Sequence, residues 1–462
     1  MKLLFTHGYF LEEDEKEKRI MKPYVPLGIL YVSAFLRQNG FENEVFDSTF
    51  SSFEKQKEKI RSMQPDVIAV YTNLMTKLNV LRLISFVRSE KSFAQTKIVL
   101  GGPEVRNHAK AFLAHGADAL VIGEGEETML ELVRFFDGKE GNIASIKSIA
   151  WKNEKGEPVF NDERELLKSM DQLPLPARGK IDLQLYFDAW KKAHGESTIS
   201  LSTMRGCPYT CKWCSRAVYG LSYRRRNAAL VADEIEALQK EYRFDSIWFV
   251  DDVFTVSHKW LREFAGEIQK RKLKIRYEII TRADRMNEDV IDLLVQSGCY
   301  RVWIGAESGS QRIIDAMDRR VDVQQVREMI RLSRKKGLQA GTFIMLGYPG
   351  ETQDDIRETI RHLSESAPDY YTLTVAYPIK GTQLYEETEN AFIHPPDWAV
   401  STDRDIDFKR VYPRRYYDYA VRWVNNEVAF SRSLEQKKFL RLPLLKLKSI
   451  AARGGMMLAR VL

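Results

Sequence analysis

Cysteine is scarce in this chain, four among 462 residues, and three of the four fall between positions 207 and 214. A disulfide-built scaffold needs more of them, more evenly spread, so a cross-linked secreted domain is not expected. Long apolar runs are missing as well. None reaches the roughly 18 residues of a membrane span, and the start, Met1-Lys2-Leu3-Leu4-Phe5, meets acidic residues by Glu12. No leader is expected, and the reading is a cytoplasmic protein with reduced thiols. Charge of one sign is lacking over most of the length: the net charge is +7, and residues 431–462 account for it with eight Lys and Arg against Glu435 alone. The rest is neutral, which speaks against a general nucleic-acid binder. Hydrophobic residues at 44% and charged residues at 29% are ordinary for a globular protein, and the length accommodates two or three domains with substantial cores.

What the chain does have is Arg205-Gly206-Cys207-Pro208-Tyr209-Thr210-Cys211-Lys212-Trp213-Cys214, a C-x3-C-x2-C loop after the strand-like residues 197–203. Thiolates this close on one loop can converge on a soft metal centre. A structural zinc needs four ligands, usually in paired knuckles. Here Cys299 stands far downstream, and no histidine lies between Cys207 and Asp252. An iron–sulfur cubane held by three thiolates, with one iron open to a chelating substrate, is the better fit; structural zinc and inert thiols remain as alternatives. Cys299 itself, between Gly298 and a strand, reads as a small core residue.

Hydrophobic periodicity gives two successive series of alternating strands and helices. In the first 140 residues, strands near Lys2, Glu44, Val67, Lys97 and Ala119 alternate with helices, which argues for a doubly wound parallel sheet. Ligands bind such sheets at the carboxyl ends of the strands. Gly101-Gly102 and Gly123-x-Gly125 follow strands there, where backbone approaches a ligand or merely turns tightly. Residues 141–194 read as a connector with a hairpin turn at Asn153-Glu154-Lys155-Gly156-Glu157-Pro158. The second series has six strands, beginning near positions 197, 246, 275, 300, 338 and 371, and suggests an open, partial (β/α)6 TIM barrel with functional residues at the strand ends. Those ends carry Asp251 and Asp252, Arg282, Glu307 and Gly347. Helix capping by the aspartates, a structural ion pair inside the barrel for Arg282 and for Glu307, and chain turning at Gly347–Gly350 are the competing structural readings.

The cysteine loop, with the aromatic Trp213 before its last cysteine, resembles the signature of the radical S-adenosylmethionine superfamily. The resemblance implies that Cys207, Cys211 and Cys214 hold a 4Fe–4S cluster, that S-adenosylmethionine chelates the open iron, and that reduction by a flavodoxin- or ferredoxin-type donor releases a 5′-deoxyadenosyl radical. It further implies that Asp251 and Asp252 lie near the methionyl amine or ribose, that Arg282 and Glu307 serve the carboxylate and ribose, and that Gly347 lies near adenine. Pro26-Leu27-Gly28, Gly101-Gly102-Pro103-Glu104 and Gly123-Glu124-Gly125-Glu126-Glu127-Thr128 resemble the cobalamin-binding domain that precedes the radical domain in one large subgroup. Gly101, Gly102, Gly123, Gly125 and Glu126 are then expected at the corrin. The D-x-H-x-x-G loop that ligates cobalt in many cobalamin proteins is absent, so cobalamin is expected without a histidine ligand, with residues 71–77 facing its lower side.

The expected architecture is therefore α/β. A Rossmann-like cobalamin-binding domain (1–140) and a linker (141–194) precede a radical S-adenosylmethionine partial TIM barrel (195–390) and a helical C-terminal extension (391–462). The reaction most often implied is cobalamin-dependent methyl transfer to an unactivated carbon of a small-molecule or lipid substrate. A non-methylating radical oxidation, cyclisation or rearrangement is the alternative within the enzymes, and a sensing protein without turnover the alternative outside them. In the tail, Lys and Arg alternate with Leu, Ile and Met, a pattern that suits peripheral contact with an anionic bilayer and, equally, a helical cap packed on the barrel. Pro443 and Gly454-Gly455 predict two short helices there rather than one.

Overall fold

The computed structural model describes residues 1–139 and 141–460. Seven strands form the first sheet: β1 (Leu3–His7), β2 (Glu44–Phe46), β3 (Val67–Tyr71), β4 (Lys97–Gly101), β5 (Ala119–Val121), β6 (Ile149–Lys152) and β7 (Pro158–Phe160). Their spatial order is β2-β1-β3-β4-β5-β6-β7. The first five are parallel, and β6 and β7 join antiparallel. Alternation along the strands fills two layers, because successive side chains point to opposite faces. Leu4, Ile68, Val70, Ile98, Leu100 and Leu120 pack under the helices Lys77–Ser89 and Val105–His115, while Phe5, Val67, Ala69, Val99 and Val121 pack under Leu27–Gln38 and Glu126–Phe136. With helices on both faces, only the carboxyl ends of the parallel strands are open to a ligand, and order 2-1-3-4-5 puts a switch point between β1 and β3.

The sheet does not stop at the expected boundary near residue 140, which itself lies outside the described residues. The hairpin expected within the connector is its continuation: β6 pairs with β5, and Ile149 and Ala150 are fully buried. The physical reason is edge protection, since β5 would otherwise present unpaired backbone groups to solvent. Much of the remaining connector is also absorbed. The Leu183–His194 helix buries Leu183, Tyr186 and Phe187 in the core of the second sheet, and the Tyr186 hydroxyl donates to Asp47 Oδ2 at 2.7 Å in the first domain.

The second half comprises β8 (Thr198–Leu201), β9 (Met204–Arg205), β10 (Arg224–Arg225), β11 (Ser246–Phe249), β12 (Tyr277–Thr281), β13 (Cys299–Glu307), β14 (Gln339–Leu346) and β15 (Tyr370–Val375). Six of these make one parallel sheet in the order β15-β14-β13-β12-β11-β8, the open barrel expected from the strand–helix alternation. The short antiparallel pair β9–β10 closes the base of the cysteine loop.

The C-terminal extension is a helical hairpin of Arg414–Glu435 and Leu442–Ala459. Tyr416, Tyr417, Trp423 and Val424 of its first helix belong to the barrel core, as do Ala452, Met456 and Ala459 of the second. The second helix is continuous where the sequence predicts a break. Pro443 falls in the first turn, where its missing N–H would have had no partner. Gly455 is helical, and a Cβ there would stand 2.5 Å from the Tyr419 ring. This glycine marks a close helix–helix approach. Of the tail residues, Val461 and Leu462 lie outside the described ones.

Candidate active site between two cofactor cradles

The cysteine loop springs from β9 and returns through β10. Gly206 turns it with a positive φ of 82°, and any Cβ there would strike Ser222. Inside the loop, the Lys212 N–H donates to the Met317 carbonyl at 3.1 Å and the Lys212 carbonyl accepts from the Leu384 N–H at 2.9 Å. Trp213 packs in a small apolar cluster with Ile313, Met317, Tyr348 and Leu384, so it braces the loop from behind. Cys211 is buried, Cys207 half-buried and Cys214 exposed. Two guanidiniums flank Cys211: Arg319 Nη1 lies 3.6 Å and Arg282 Nη1 3.7 Å from its sulfur. The protein packed around the loop raises the Cys214 thiol above its ordinary range, with the nearby Asp252 carboxylate adding to it. Metal binding would draw these protons off. Among the described residues, no three Cys, His, Asp or Glu side chains converge closely enough to hold one metal ion. A cubane makes no such demand, because it distributes its three thiolates over separate irons. Cys299 takes no part. It is buried in the barrel core, its thiol facing the Arg301 carbonyl at 3.4 Å.

The barrel ends divide into groups facing the loop and groups holding it. Asp251 is fully committed. Its carboxylate accepts from the Thr203 and Met204 N–H groups at 2.7 and 3.2 Å, from the Thr203 hydroxyl, and from Arg225 at 3.2 Å. Its acceptors are spent positioning the turn before β9, and it caps no helix, since Ser257 caps His258–Lys270. Asp252 stays accessible beside Cys207 and Cys214, its carboxyl raised by desolvation and by Asp251. Arg282 and Glu307 each find a charged partner inside the barrel, in keeping with the structural reading of both. Arg282 is 1% exposed, donates to Asp284 at 2.8 Å and lies over the Tyr209 ring at 3.8 Å. Glu307 sits at a bulge in β13 with a positive φ of 67°, and its nearest cation is Arg319 at 3.8 Å. A non-glycine residue held there signals local strain, which concentrates at functional sites. Gly347 has a φ of +75°, and its carbonyl accepts from Arg410 at 3.1 Å, which ties that strand end to the C-terminal extension.

Arg319 escaped the sequence reading, for no motif marks it. Also missed were Glu104 and His108, although Glu104 closes the Gly101-Gly102-Pro103-Glu104 run. Both are more than nine-tenths buried, 3.4 Å apart, and neither Glu104 Oε1 nor His108 Nε2 has a hydrogen-bond partner. Burial and the Asp403 carboxylate raise Glu104 to about 7, while burial and the Lys380 and Lys77 cations lower His108 to about 3. With Lys380, Asp403, Arg404 and Arg414 they line a cavity of about 830 Å³ between the domains, reached on the cluster side by Ser215.

The carboxyl ends of β1, β3, β4 and β5 enclose a second cavity of about 650 Å³. Gly28, Gly101, Gly102, Gly123 and Gly125 line it, together with Tyr71, Asn73, Met75 and Thr76 from the segment expected below a corrin. Gly102 has a φ of +107°, and a Cβ there would stand 2.4 Å from the Thr72 carbonyl oxygen, so only glycine keeps this wall low. His7 reaches the cavity, but its ring is occupied: Nδ1 accepts from the Tyr9 N–H at 3.1 Å, and Nε2 faces Asp47 at 2.9 Å. The described lining therefore offers a broad apolar cradle without a free imidazole, which fits a corrin lacking a histidine ligand. Glu126 borders this cavity, as expected of it, and its carboxylate is bound by Arg205, two residues before Cys207. Arg205 also donates to Glu124 at 2.9 Å, and Arg224 donates to Glu124 at 2.6 Å. Both strands at the base of the cysteine loop are thus locked onto the loop after β5.

Comparison with known proteins agrees with this geometry. The B12 binding domain family matches residues 20–133, and the Radical SAM superfamily matches residues 201–363. An uncharacterized methyltransferase of Pyrococcus horikoshii is 30% identical over 391 residues, 82% of each chain. The anaerobic magnesium-protoporphyrin IX monomethyl ester cyclase of Rubrivivax gelatinosus is 24% identical over 403 residues, covering 84% of this chain and 70% of that one. Among solved structures, the cobalamin-dependent S-adenosylmethionine radical enzyme OxsB with aqua-cobalamin bound shares the fold, with a TM-score of 0.77 over 98% of this chain and 72% of that one at 16% identity. A cysteine loop, a glycine-lined cradle and two domain matches in the same order, joined by identity running across both domains, make this chain a member of the cobalamin-binding radical S-adenosylmethionine enzymes, which work with a 4Fe–4S cluster, S-adenosylmethionine and cobalamin.

Proposed function

We propose that this enzyme transfers a methyl group to an unactivated carbon of a small-molecule substrate held between its two cofactor domains. The observation that carries the reading is a shared wall: Val218 and Tyr219, just beyond Cys214, complete the lining of the glycine cavity. The cluster loop and the corrin cradle are thereby back to back. When bound, the cofactors supply a 5′-deoxyadenosyl radical and a transferable methyl group, and that chemistry is theirs. The chain supplies ligation, orientation and charge. Cys207, Cys211 and Cys214 are the cluster ligands in this reading, and Arg282 and Arg319 place positive charge against a thiolate-ligated centre. Asp252 and Glu307 present carboxylates to the amino and hydroxyl groups of S-adenosylmethionine. Glu104 and His108, desolvated and unpartnered, offer acceptors to a polar group of the substrate in the adjoining cavity. The reductant is a flavodoxin- or ferredoxin-type protein.

Resemblance to the cyclase from Rubrivivax gelatinosus, weaker at 24% identity but over a similar share of this chain, favours a second reading, a radical oxidation or cyclisation without methylation. Anaerobic incubation with dithionite, a metabolite extract and methyl-labelled S-adenosylmethionine separates the two. Methylation consumes two molecules of S-adenosylmethionine per product, giving S-adenosylhomocysteine and 5′-deoxyadenosine together and label in a small molecule. Deoxyadenosine with an unlabelled product would refute methyl transfer. Absence of deoxyadenosine from the reduced, cluster-loaded protein would refute radical turnover altogether.

A further inference from the structure

The second helix of the C-terminal hairpin, Leu442–Ala459, is apolar on two sides, and only one of them is covered. Ser449, Ala452, Met456 and Ala459 are buried against the Arg414–Glu435 helix. On the opposite side Leu444, Leu447 and Leu458 are 56, 65 and 68% exposed, and Leu440, in the turn leading into the helix, is 99% exposed. Within the helix, the spacing of 3 and 11 residues keeps Leu444, Leu447 and Leu458 on one outward stripe at 3.6 residues per turn. Ala451 and Gly454 fill the gap in the stripe with small residues. An uncovered apolar surface of this extent marks a contact face.

Charge decides what it contacts. Lys448 borders the stripe on one edge, and Lys437, Lys438 and Arg441 crowd the turn at its head, while Lys446 and Arg453 lean toward the covering helix, where Lys446 meets Glu427 at 3.4 Å and Arg453 lies over the Trp423 ring. No acidic residue follows Glu435 in the sequence. A second copy docked about a two-fold axis would set this patch against itself, cation against cation, with no carboxylate on the helix to relieve it. An anionic phospholipid surface complements both features, taking the leucines into its interface and the cations among its headgroups. No described helix is long and apolar enough to cross the bilayer. We propose that this face is a docking surface for an anionic bilayer, on which the enzyme lies peripherally. The covering helix also contributes Arg414 and Val421 to the lining of the interdomain cavity.

The test uses the full chain, since removing the second helix would uncover core residues of the first. Protein is sedimented with vesicles of phosphatidylcholine alone or of phosphatidylcholine mixed equally with phosphatidylglycerol. It is expected to pellet with the mixed vesicles at low salt, to be released at high salt, and to stay in solution with phosphatidylcholine. Lys437→Gln with Lys438→Gln should weaken binding about fivefold for each charge removed. Leu447→Glu with Leu458→Glu should abolish it. Far-ultraviolet circular dichroism and deoxyadenosine formation should be unchanged in all four substitutions, because each side chain is exposed. Equal pelleting with both vesicle types, or none with either, overturns the proposal. So does a dimer in lipid-free sedimentation equilibrium that Leu447→Glu dissociates, which would make a second copy the occupant.

Discussion

Arg205→Met tests the junction on which the arrangement of the two cofactor sites depends. The guanidinium is 6% exposed and binds Glu124 and Glu126, themselves 7 and 3% exposed. After the substitution Glu124 keeps Arg224, at 2.6 Å, whereas Glu126 is left buried without a cation. Removing one partner of a buried pair costs about 3–5 kcal/mol, because the remaining charge has lost both water and its counterion. With a urea slope of about 3 kcal/mol/M, the denaturation midpoint of the apo-protein should fall by about 1–1.7 M. The same variant should retain less cobalamin on gel filtration if the glycine-lined cavity, which Arg205 also lines, holds the corrin. Arg205→Met combined with Glu126→Leu should recover most of the loss, because apolar replacement of a whole buried pair is close to neutral. Tryptophan fluorescence through the urea titration reads both variants. A midpoint shift below about 0.3 M for the single variant, equivalent to under about 1 kcal/mol, would refute the buried contact. Additive losses in the double variant would refute the coupling between the two residues.

Cys207→Ala, Cys211→Ala or Cys214→Ala should abolish iron binding and deoxyadenosine formation, whereas Cys299→Ala, in the barrel core, should keep the iron; iron analysis of anaerobically purified protein decides. Gly102→Val puts a branched side chain at a φ of +107° and against the Thr72 carbonyl, so cobalamin content should fall severely while cluster content is retained. Bound cobalamin should show no protein nitrogen ligand in its optical spectrum, and a histidine-ligated spectrum would contradict the occupied state of His7. Stability against pH should reveal Glu104 and His108 acting in opposite directions. Glu104, raised to about 7, contributes stability that is present below its unfolded value of about 4.3 and is lost as pH rises to 7. His108, lowered to about 3, contributes stability that is present above its unfolded value of about 6.5 and is lost as pH falls towards 3. Glu104→Gln should therefore melt at temperatures that climb between pH 5 and 6.5 more steeply than the wild type. His108→Gln should show the reverse, and parallel curves for all three proteins would refute the assignments.

The amino-acid sequence alone determined what depends on neighbours along the chain. Three cysteines within one loop specify their chemistry by spacing, and period-two and period-3.6 alternation specify two strand–helix series, because burial of a face is written locally in each element. The glycines after β4 and β5 were legible for the same reason: only a residue without a Cβ tolerates those turns. Tertiary structure decided whatever depends on desolvation and on partners distant in sequence. It assigned Asp251 to the turn before β9 and Glu126 to Arg205, and it brought Arg319 to Cys211 across more than a hundred residues. It also left Glu104 and His108 unpartnered in a buried wall, a condition that residue type cannot reveal. The hairpin β6–β7 joined the first sheet because β5 needed an edge partner. The helix Leu442–Ala459 ran through Gly454-Gly455 because the packing of Gly455 on Tyr419 outweighed a local propensity worth about 1 kcal/mol per glycine.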